Sequence, residues 1–233
     1  MKHKKQGIIF YLKKIKDNDL YVKILSSNDS IDSGMIYGGN TSKKKSIYQK
    51  GYFIDYIINK KNETLPPTIT GDLAKPFLGK IINDKYKLYA LLSILSIINM
   101  SILEGQYIKG FYKSVYSIIN KIVISDHWII SYCEWLFELL RIIGYQIDYL
   151  NHTQDSYFNI SSQEFTNINN TNTVIFPHGL FSNKEINFTN INLIFDIFES
   201  IYTKNHLDNI NYNMPINFKN FKKIILDELK LNK

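Results

Sequence analysis

The chain holds one cysteine, Cys133, and one arginine, Arg141, among its 233 residues. A lone thiol excludes an internal disulfide and a multi-cysteine zinc site. Cys133 falls among Trp128, Tyr132 and Leu136 in a helical pattern, so it reads as a buried structural thiol rather than a nucleophile. A membrane-length apolar run is missing as well. Leu88 to Leu103 is 16 uncharged residues interrupted by Ser93, Ser96, Asn99 and Ser101, whereas a spanning helix needs about 20 apolar ones. It reads as a core helix. Met1-Lys2-His3-Lys4-Lys5 leads directly into Gly7 and strand-like residues, without a long apolar stretch or small-residue cleavage site. The expected location is therefore cytoplasmic. Triplets such as Asn62-Glu63-Thr64 arise by chance in so asparagine-rich a chain.

Catalytic constellations are also lacking. Gly38-Gly39 is closed by no Gly-Lys-Ser/Thr, so it is no phosphate-cradling P-loop. Asp126-His127 has no nucleophile attached by motif and suits a helix start. His152 and His178 lack cysteines or a carboxylate cluster at ligand spacing. Glu134 and Glu138, four apart, read as a solvated helix face beside Arg141. The expectation is a protein without enzymatic activity, cofactor or metal.

What the chain does have is apolar residues for a core, 45% hydrophobic and 14% aromatic, and abundant Ile, Asn, Lys and Tyr. AT-rich codon usage explains many lysines, but not their distribution. Residues 1–72 carry 13 lysines against 7 acids, a net of +6; residues 73–233 carry 15 cations against 14 acids, a net of +1. A concentrated positive surface attracts phosphate backbones or anionic membranes.

The periodicity predicts an α+β protein with a boundary near Pro66–Pro76. Gly7–Leu12 and Leu20–Leu25 are short strand-like runs around the polar turn Lys16-Asp17-Asn18-Asp19, and Leu20, Val22 and Ile24 alternate with Tyr21 and Lys23. Further runs lie around Gly34-Met35-Ile36-Tyr37, over Tyr52–Asn59, and at Thr68-Ile69-Thr70. Five short strands in about 70 residues suggest a closed oligonucleotide-binding (OB) barrel over 1–72. Residues 73–233 then read as a mainly α-helical domain. Helices are expected over Asp84–Leu103, around Ile108–Ile122, and around Ile129–Ile143 with Asp126 as N-cap and Gly144 as stop. A polar irregular insertion at about 151–190 contains β-like pieces at Tyr157–Ile160 and Val174–Phe176. Two more amphipathic helices follow, one through Ile191 and Ile201, the other through Phe218 and Leu229.

The first site candidate is Gly38-Gly39-Asn40-Thr41-Ser42-Lys43-Lys44-Lys45-Ser46. Glycines let the chain leave a strand sharply, and hydroxyls with three lysines offer donors to phosphate oxygens; a solvated flexible loop is the alternative. Lys13, Lys14, Lys16, Lys50, Lys60 and Lys61 lie around it, interleaved with Tyr11, Tyr37, Tyr48, Tyr52 and Phe53. Single-strand binders combine such a basic groove with aromatic platforms, and Tyr37 and Tyr48 are the stacking candidates carried forward.

These residues also carry a family resemblance. Gly7-Ile8-Ile9, a polar turn and Asp19-Leu20-Tyr21-Val22-Lys23-Ile24-Leu25 look like the opening hairpin of the RecO family of recombination mediators. Tyr37-Gly38-Gly39 with its Ser/Lys run and Tyr48-Gln49-Lys50-Gly51 resemble that family's basic loop and following turn. Leu136–Leu140 with Ile143-Gly144-Tyr145-Gln146-Ile147-Asp148-Tyr149-Leu150 resembles a later helix end. The order holds over residues 7–150 and more loosely to about 205. The resemblance implies an N-terminal OB domain and a helical domain. It also implies binding of single- and double-stranded DNA, strand annealing, and work with RecR to load RecA onto strands coated by single-strand-binding protein (SSB). Lys13, Lys14, Lys43, Lys44 and Lys45 occupy the matching basic positions. Two departures stand out: Lys50 replaces a common proline, and no cysteines follow Leu150, where some members hold zinc. Arg141 is the candidate cation for the acidic SSB tail. Rival readings are an OB-fold RNA-binding or ribosome-assembly factor, and a peripheral membrane protein using Lys219, Lys222, Lys223 and Lys230; a membrane partner is not expected, since Asp227 and Glu228 interrupt that face.

Overall fold

The computed structural model describes residues 4–15, 18–62, 64–152 and 157–231. Two compact units divide the chain, the first running to Val123 and the second starting at Ile124.

The first unit is built on five strands: β1 (Lys5–Lys14), β2 (Leu20–Ser26), β3 (Ile31–Ile36), β4 (Phe53–Asn59) and β5 (Thr68–Lys75). They close into a barrel of order β1-β2-β3-β5-β4, with β4 returning to β1. This is the OB-fold expected from the strand spacing. Closure follows from local chemistry at two places. β1 is long enough to serve both neighbours: Lys5–Ile8 pair with β4 and Gly7–Lys14 with β2, and an irregularity between Ile9 and Tyr11 bends the strand between these duties. At the other seam, the Met35 N–H donates to the Pro67 carbonyl at 2.8 Å. A Cβ on Gly34 would collide with that same carbonyl oxygen and come 3.1 Å from Ile69 Cγ1, so the β3–β5 seam requires a residue with no side chain.

Alternation fills the interior. Ile9, Leu20, Val22, Ile24, Ile36, Ile54 and Ile69 form the barrel core with Tyr48 and Tyr56. The buried Tyr56 hydroxyl donates to Asp32 Oδ2 at 2.6 Å, and Lys5 Nζ reaches the same oxygen at 2.8 Å, so the ring's polar end is satisfied.

Three helices complete this unit: α1 (Phe77–Ile81), α2 (Lys85–Ser101) and α3 (Phe111–Ile124). Asp84 caps α2 by accepting from the Lys87 N–H at 3.0 Å. The start of α3 is capped from a distance. Asp29, in the β2–β3 turn at φ +66°, accepts the Gly110 and Tyr112 N–H groups at 2.6 and 2.9 Å. Phe53, Phe77, Tyr112 and Tyr116 meet ring to ring, with the Lys75 ammonium 4.6 Å from the Tyr116 centroid.

The second unit contains α4 (Trp128–Ile142), β6 (Tyr157–Asn159), β7 (Glu164–Thr166), β8 (Thr173–Ile175), α5 (His178–Ser182), α6 (Phe188–Tyr202) and α7 (Ile216–Leu231). Tyr132 of α4 packs against Phe195 of α6 and Phe221 of α7. Expected strands at 157–160 and 174–176 are β6 and β8; β7 pairs with β6 to make a sheet of order β7-β6-β8. Phe158, Phe165 and Phe176 contact one another there, and Phe176 also meets Phe137 and Tyr149. One expectation is corrected. Asp126 lies one residue short of the α4 cap, which is His127 and makes no side-chain cap bond. Gly144, at φ +96°, does end the helix region. Among the described residues no helix is long and apolar enough to cross a membrane, and no cluster of three His, Cys, Asp or Glu could hold a metal ion.

Two outcomes are expected. Gly34→Ala should destabilise the barrel by about 1–3 kcal/mol, because the new methyl must displace a carbonyl engaged in the closing hydrogen bond; urea unfolding measures this, and an unchanged midpoint would contradict it. Cys133 is fully buried, and burial pushes its thiol up. A thiol reagent should therefore label it only after unfolding, and rapid labelling of the native protein would refute the burial.

Candidate nucleic-acid interface

Backbone contacts hold the lysine-rich segment between β3 and β4. The Gly38 N–H, at φ +65°, donates to Asp19 Oδ1 at 2.8 Å, and the Asn40 N–H to the Asn18 carbonyl at 2.8 Å. Thr41 Oγ donates to the Gly38 carbonyl at 2.7 Å, while the Lys44 and Lys45 N–H groups bond back to the Thr41 carbonyl. The segment is a series of pinned turns. Lys43, Lys44 and Lys45 project from it, all exposed, and Lys44 Nζ donates to the Tyr37 carbonyl at 3.1 Å.

The other candidates divide by position. Lys13 and Lys14 are exposed at the end of β1, and Lys60 and Lys61 are exposed just after β4. Lys16 lies outside the described residues. Tyr37 is 57% exposed at the end of β3, leaving a ring face open to solvent. Tyr48 is placed differently. Its ring is in the barrel core at 4% exposure, and its hydroxyl both donates to the Gly71 carbonyl at 2.8 Å and accepts from the Gly71 N–H at 3.0 Å. No face of that ring is open to a base. Phe53 is fully buried and Tyr52 partly so. Beside Tyr48 a cavity of about 310 Å³ is lined by Lys4 and Lys44 but also by Asp55 and Asp72, so it offers phosphate no uniform positive field.

A second group joins the sequence candidates Tyr11, Lys13 and Lys50 to Tyr21, Lys23 and Ser33, which sequence did not single out, on the outer face of β1–β2–β3. Since Leu20, Val22 and Ile24 point inward, Tyr21 and Lys23 point outward. The register sets Tyr21 between Lys13 and Met35, and Lys23 between Tyr11 and Ser33. Directly opposed residues share a face, so the rows Lys13–Tyr21–Met35 and Tyr11–Lys23–Ser33 stand side by side. The Lys23 and Lys50 ammoniums lie 5.5 and 5.7 Å from the Tyr11 centroid, on the scale of cation–π contacts.

The loop after α2 delivers a carboxylate onto this face. Glu104 Oε1 accepts from the Tyr21 hydroxyl at 2.8 Å and pairs with Lys23 Nζ at 3.1 Å; Oε2 accepts from Ser33 Oγ at 3.0 Å. Burial pushes the Glu104 carboxyl up, but hydrogen bonds from Tyr21, Lys23 and Ser33 and the Lys23 charge outweigh it and hold the group below its usual value. Alternation already turned Tyr21 and Lys23 outward, but only the fold brings Glu104 to them. In the second unit Arg141 is committed to its own helix, donating to both Glu138 oxygens at 2.6 and 2.9 Å.

Comparison with curated proteins finds similarity to several DNA repair proteins. The chain is 26% identical over 157 residues to the DNA repair protein RecO of Rickettsia canadensis, covering 65% of this chain and 64% of that protein. The RecO of Rickettsia bellii is 26% identical over 154 residues, 64% of this chain and 63% of its own length. That of Rickettsia rickettsii is 27% identical over 143 residues, 61% and 59% respectively. Over about 150 residues, then, the chain is similar to proteins named RecO. The match spans less than two thirds of the length of these relatives, and no family model matches the chain. What the barrel presents is a lysine segment beside Tyr37 and a tyrosine–lysine face beside Glu104.

The lowered Glu104 value has a sign. A depressed carboxyl stabilises the fold above its unfolded value and loses that contribution as pH falls through the folded one. A carboxyl NMR titration should give Glu104 a midpoint below that of an exposed glutamate, with the Tyr21 ring signals moving in step. A midpoint at or above the ordinary value would contradict the contact.

Proposed function

We propose that this chain is a cytoplasmic DNA-repair protein that binds DNA strands on its N-terminal barrel and carries out no bond chemistry. The observation that carries the reading is the placement of lysines beside tyrosines on a closed OB barrel: Lys13 next to Tyr21, Lys23 and Lys50 over Tyr11, and Lys44 bonded to the carbonyl of the exposed Tyr37. Lysines neutralise phosphates without reading sequence, and rings stack on any base. The basic region 1–72 is the DNA-binding part. Lys14, Lys60 and Lys61 extend its positive surface through the loops that flank OB ligand faces.

In the finer reading, the protein anneals complementary strands and works with RecR to load RecA onto SSB-coated single strands. Neutralising two backbones removes part of their mutual repulsion, which is the physical barrier to bringing complements together. The likeness to RecO proteins supports this role over a general RNA-binding one.

The test is annealing of SSB-coated complementary strands by wild type and Lys43→Ala/Lys44→Ala/Lys45→Ala across a salt series. Wild type should accelerate annealing. Loss of three phosphate contacts should flatten the log–log salt dependence of single-strand binding by about 2. Binding without annealing through SSB would replace the mediator reading with a generic nucleic-acid module. No binding at low salt would end both.

A further inference from the structure

Glu104 occupies a site made for an anion. Three donors on two strands, the Tyr21 and Ser33 hydroxyls and the Lys23 ammonium, converge on its two oxygens at 2.8, 3.0 and 3.1 Å. Two oxygens sharing one negative charge are also what a phosphodiester presents. The Glu104 side chain remains 42% exposed, so an incoming anion can reach it without prior unfolding.

The loop bearing Glu104 does not depend on these contacts for its position. Tyr107 bridges to Ser30, and the Ile108 N–H donates to the Asp29 carbonyl at 3.2 Å. The Asp29 carboxylate holds the Gly110 and Tyr112 N–H groups. The Leu103 N–H bonds to Gln106 Oε1 at 3.1 Å. A staple at Glu104 would duplicate anchors already present, whereas a carboxylate there neutralises Lys23 at the middle of the tyrosine–lysine face.

We infer that Tyr21, Lys23 and Ser33 form a phosphodiester-binding site, and that Glu104 is an internal stand-in which a nucleic-acid backbone must displace. This rests on the proposed DNA binding by the barrel. Displacement swaps one anion for another at Lys23, so the bound state gains a phosphate contact while the free state keeps its cation compensated. The cost lowers affinity for isolated single strands without lowering the number of contacts once bound.

The experiment is anisotropy binding of oligothymidylate across salt, with Glu104→Gln, Lys23→Ala and the double variant. Glu104→Gln should bind about fivefold tighter than wild type, the scale of one partly exposed ion pair. Its salt slope should match wild type, since both bound states hold the same contacts. Lys23→Ala should lower the slope by about 0.7, and adding Glu104→Gln to it should bring no gain. As a second readout on the unaltered protein, the Glu104 carboxyl signal should move to that of a free glutamate on DNA addition. If wild type binds DNA but Glu104→Gln binds no tighter, or the Glu104 signal stays put, the stand-in is overturned and DNA binding stands. An unaltered slope in Lys23→Ala also overturns it. If no variant binds DNA, the binding reading falls, and this inference falls with it.

Discussion

Closure of a five-stranded sheet on itself is the constraint from which the rest of the first unit follows. A small barrel has no sheet edges to protect, but it must find a strand that bends and a seam where two backbones meet closely. β1 supplies the bend and Gly34 the seam. Once closed, the interior accepts only the inward half of each strand, so the outward half is committed to solvent or to whatever the chain lays across it. The tyrosine–lysine face exists because its neighbours in sequence are the core.

Electrostatics then act on that scaffold unevenly. Lys13, Lys14, Lys43, Lys45, Lys60 and Lys61 sit at loops and strand ends, exposed. Lys5, Lys23 and Lys75 lie closer to the barrel wall and are held by Asp32, by Glu104 and Tyr11, and by Tyr116. Peripheral cations raise encounter with polyanions at long range, while held cations act only on contact and only after a partner yields. A net charge of +6 over residues 1–72 counts the exposed lysines together with Lys5 and Lys23 and does not tell them apart.

The five strands and the buried helix α2 were legible in sequence because period-2 and period-3.6 patterns survive without knowledge of contacts. Tyr48 was not. It sits outside the strands, where no alternation tells inward from outward, and an aromatic among lysines looks like a surface ring. The β7 strand, Glu164–Thr166, sets a single phenylalanine between polar residues, whereas the equally short β6 and β8 adjoin apolar neighbours that mark them. Asp126 had the residue type of an N-cap but the helix begins two residues later. Glu104 was illegible for a different reason. It lies 83 residues from Tyr21 and 71 from Ser33, and it meets them only because Asp29 fixes the loop between α2 and α3. In the second unit a cluster of phenylalanines, Phe158, Phe165 and Phe176, packs about the small sheet.

The commitment of Arg141 to Glu138 has a consequence for discrimination between bases. Guanidinium is the side chain whose planar fork matches the paired acceptors on guanine, and this chain has one, engaged within α4 of the second unit. The barrel face itself carries no guanidinium, and its ammoniums, hydroxyls and phenol rings respond chiefly to charge and flatness. In the proposed binding mode such a surface favours no base sequence, which leaves selection between strands to their own complementarity.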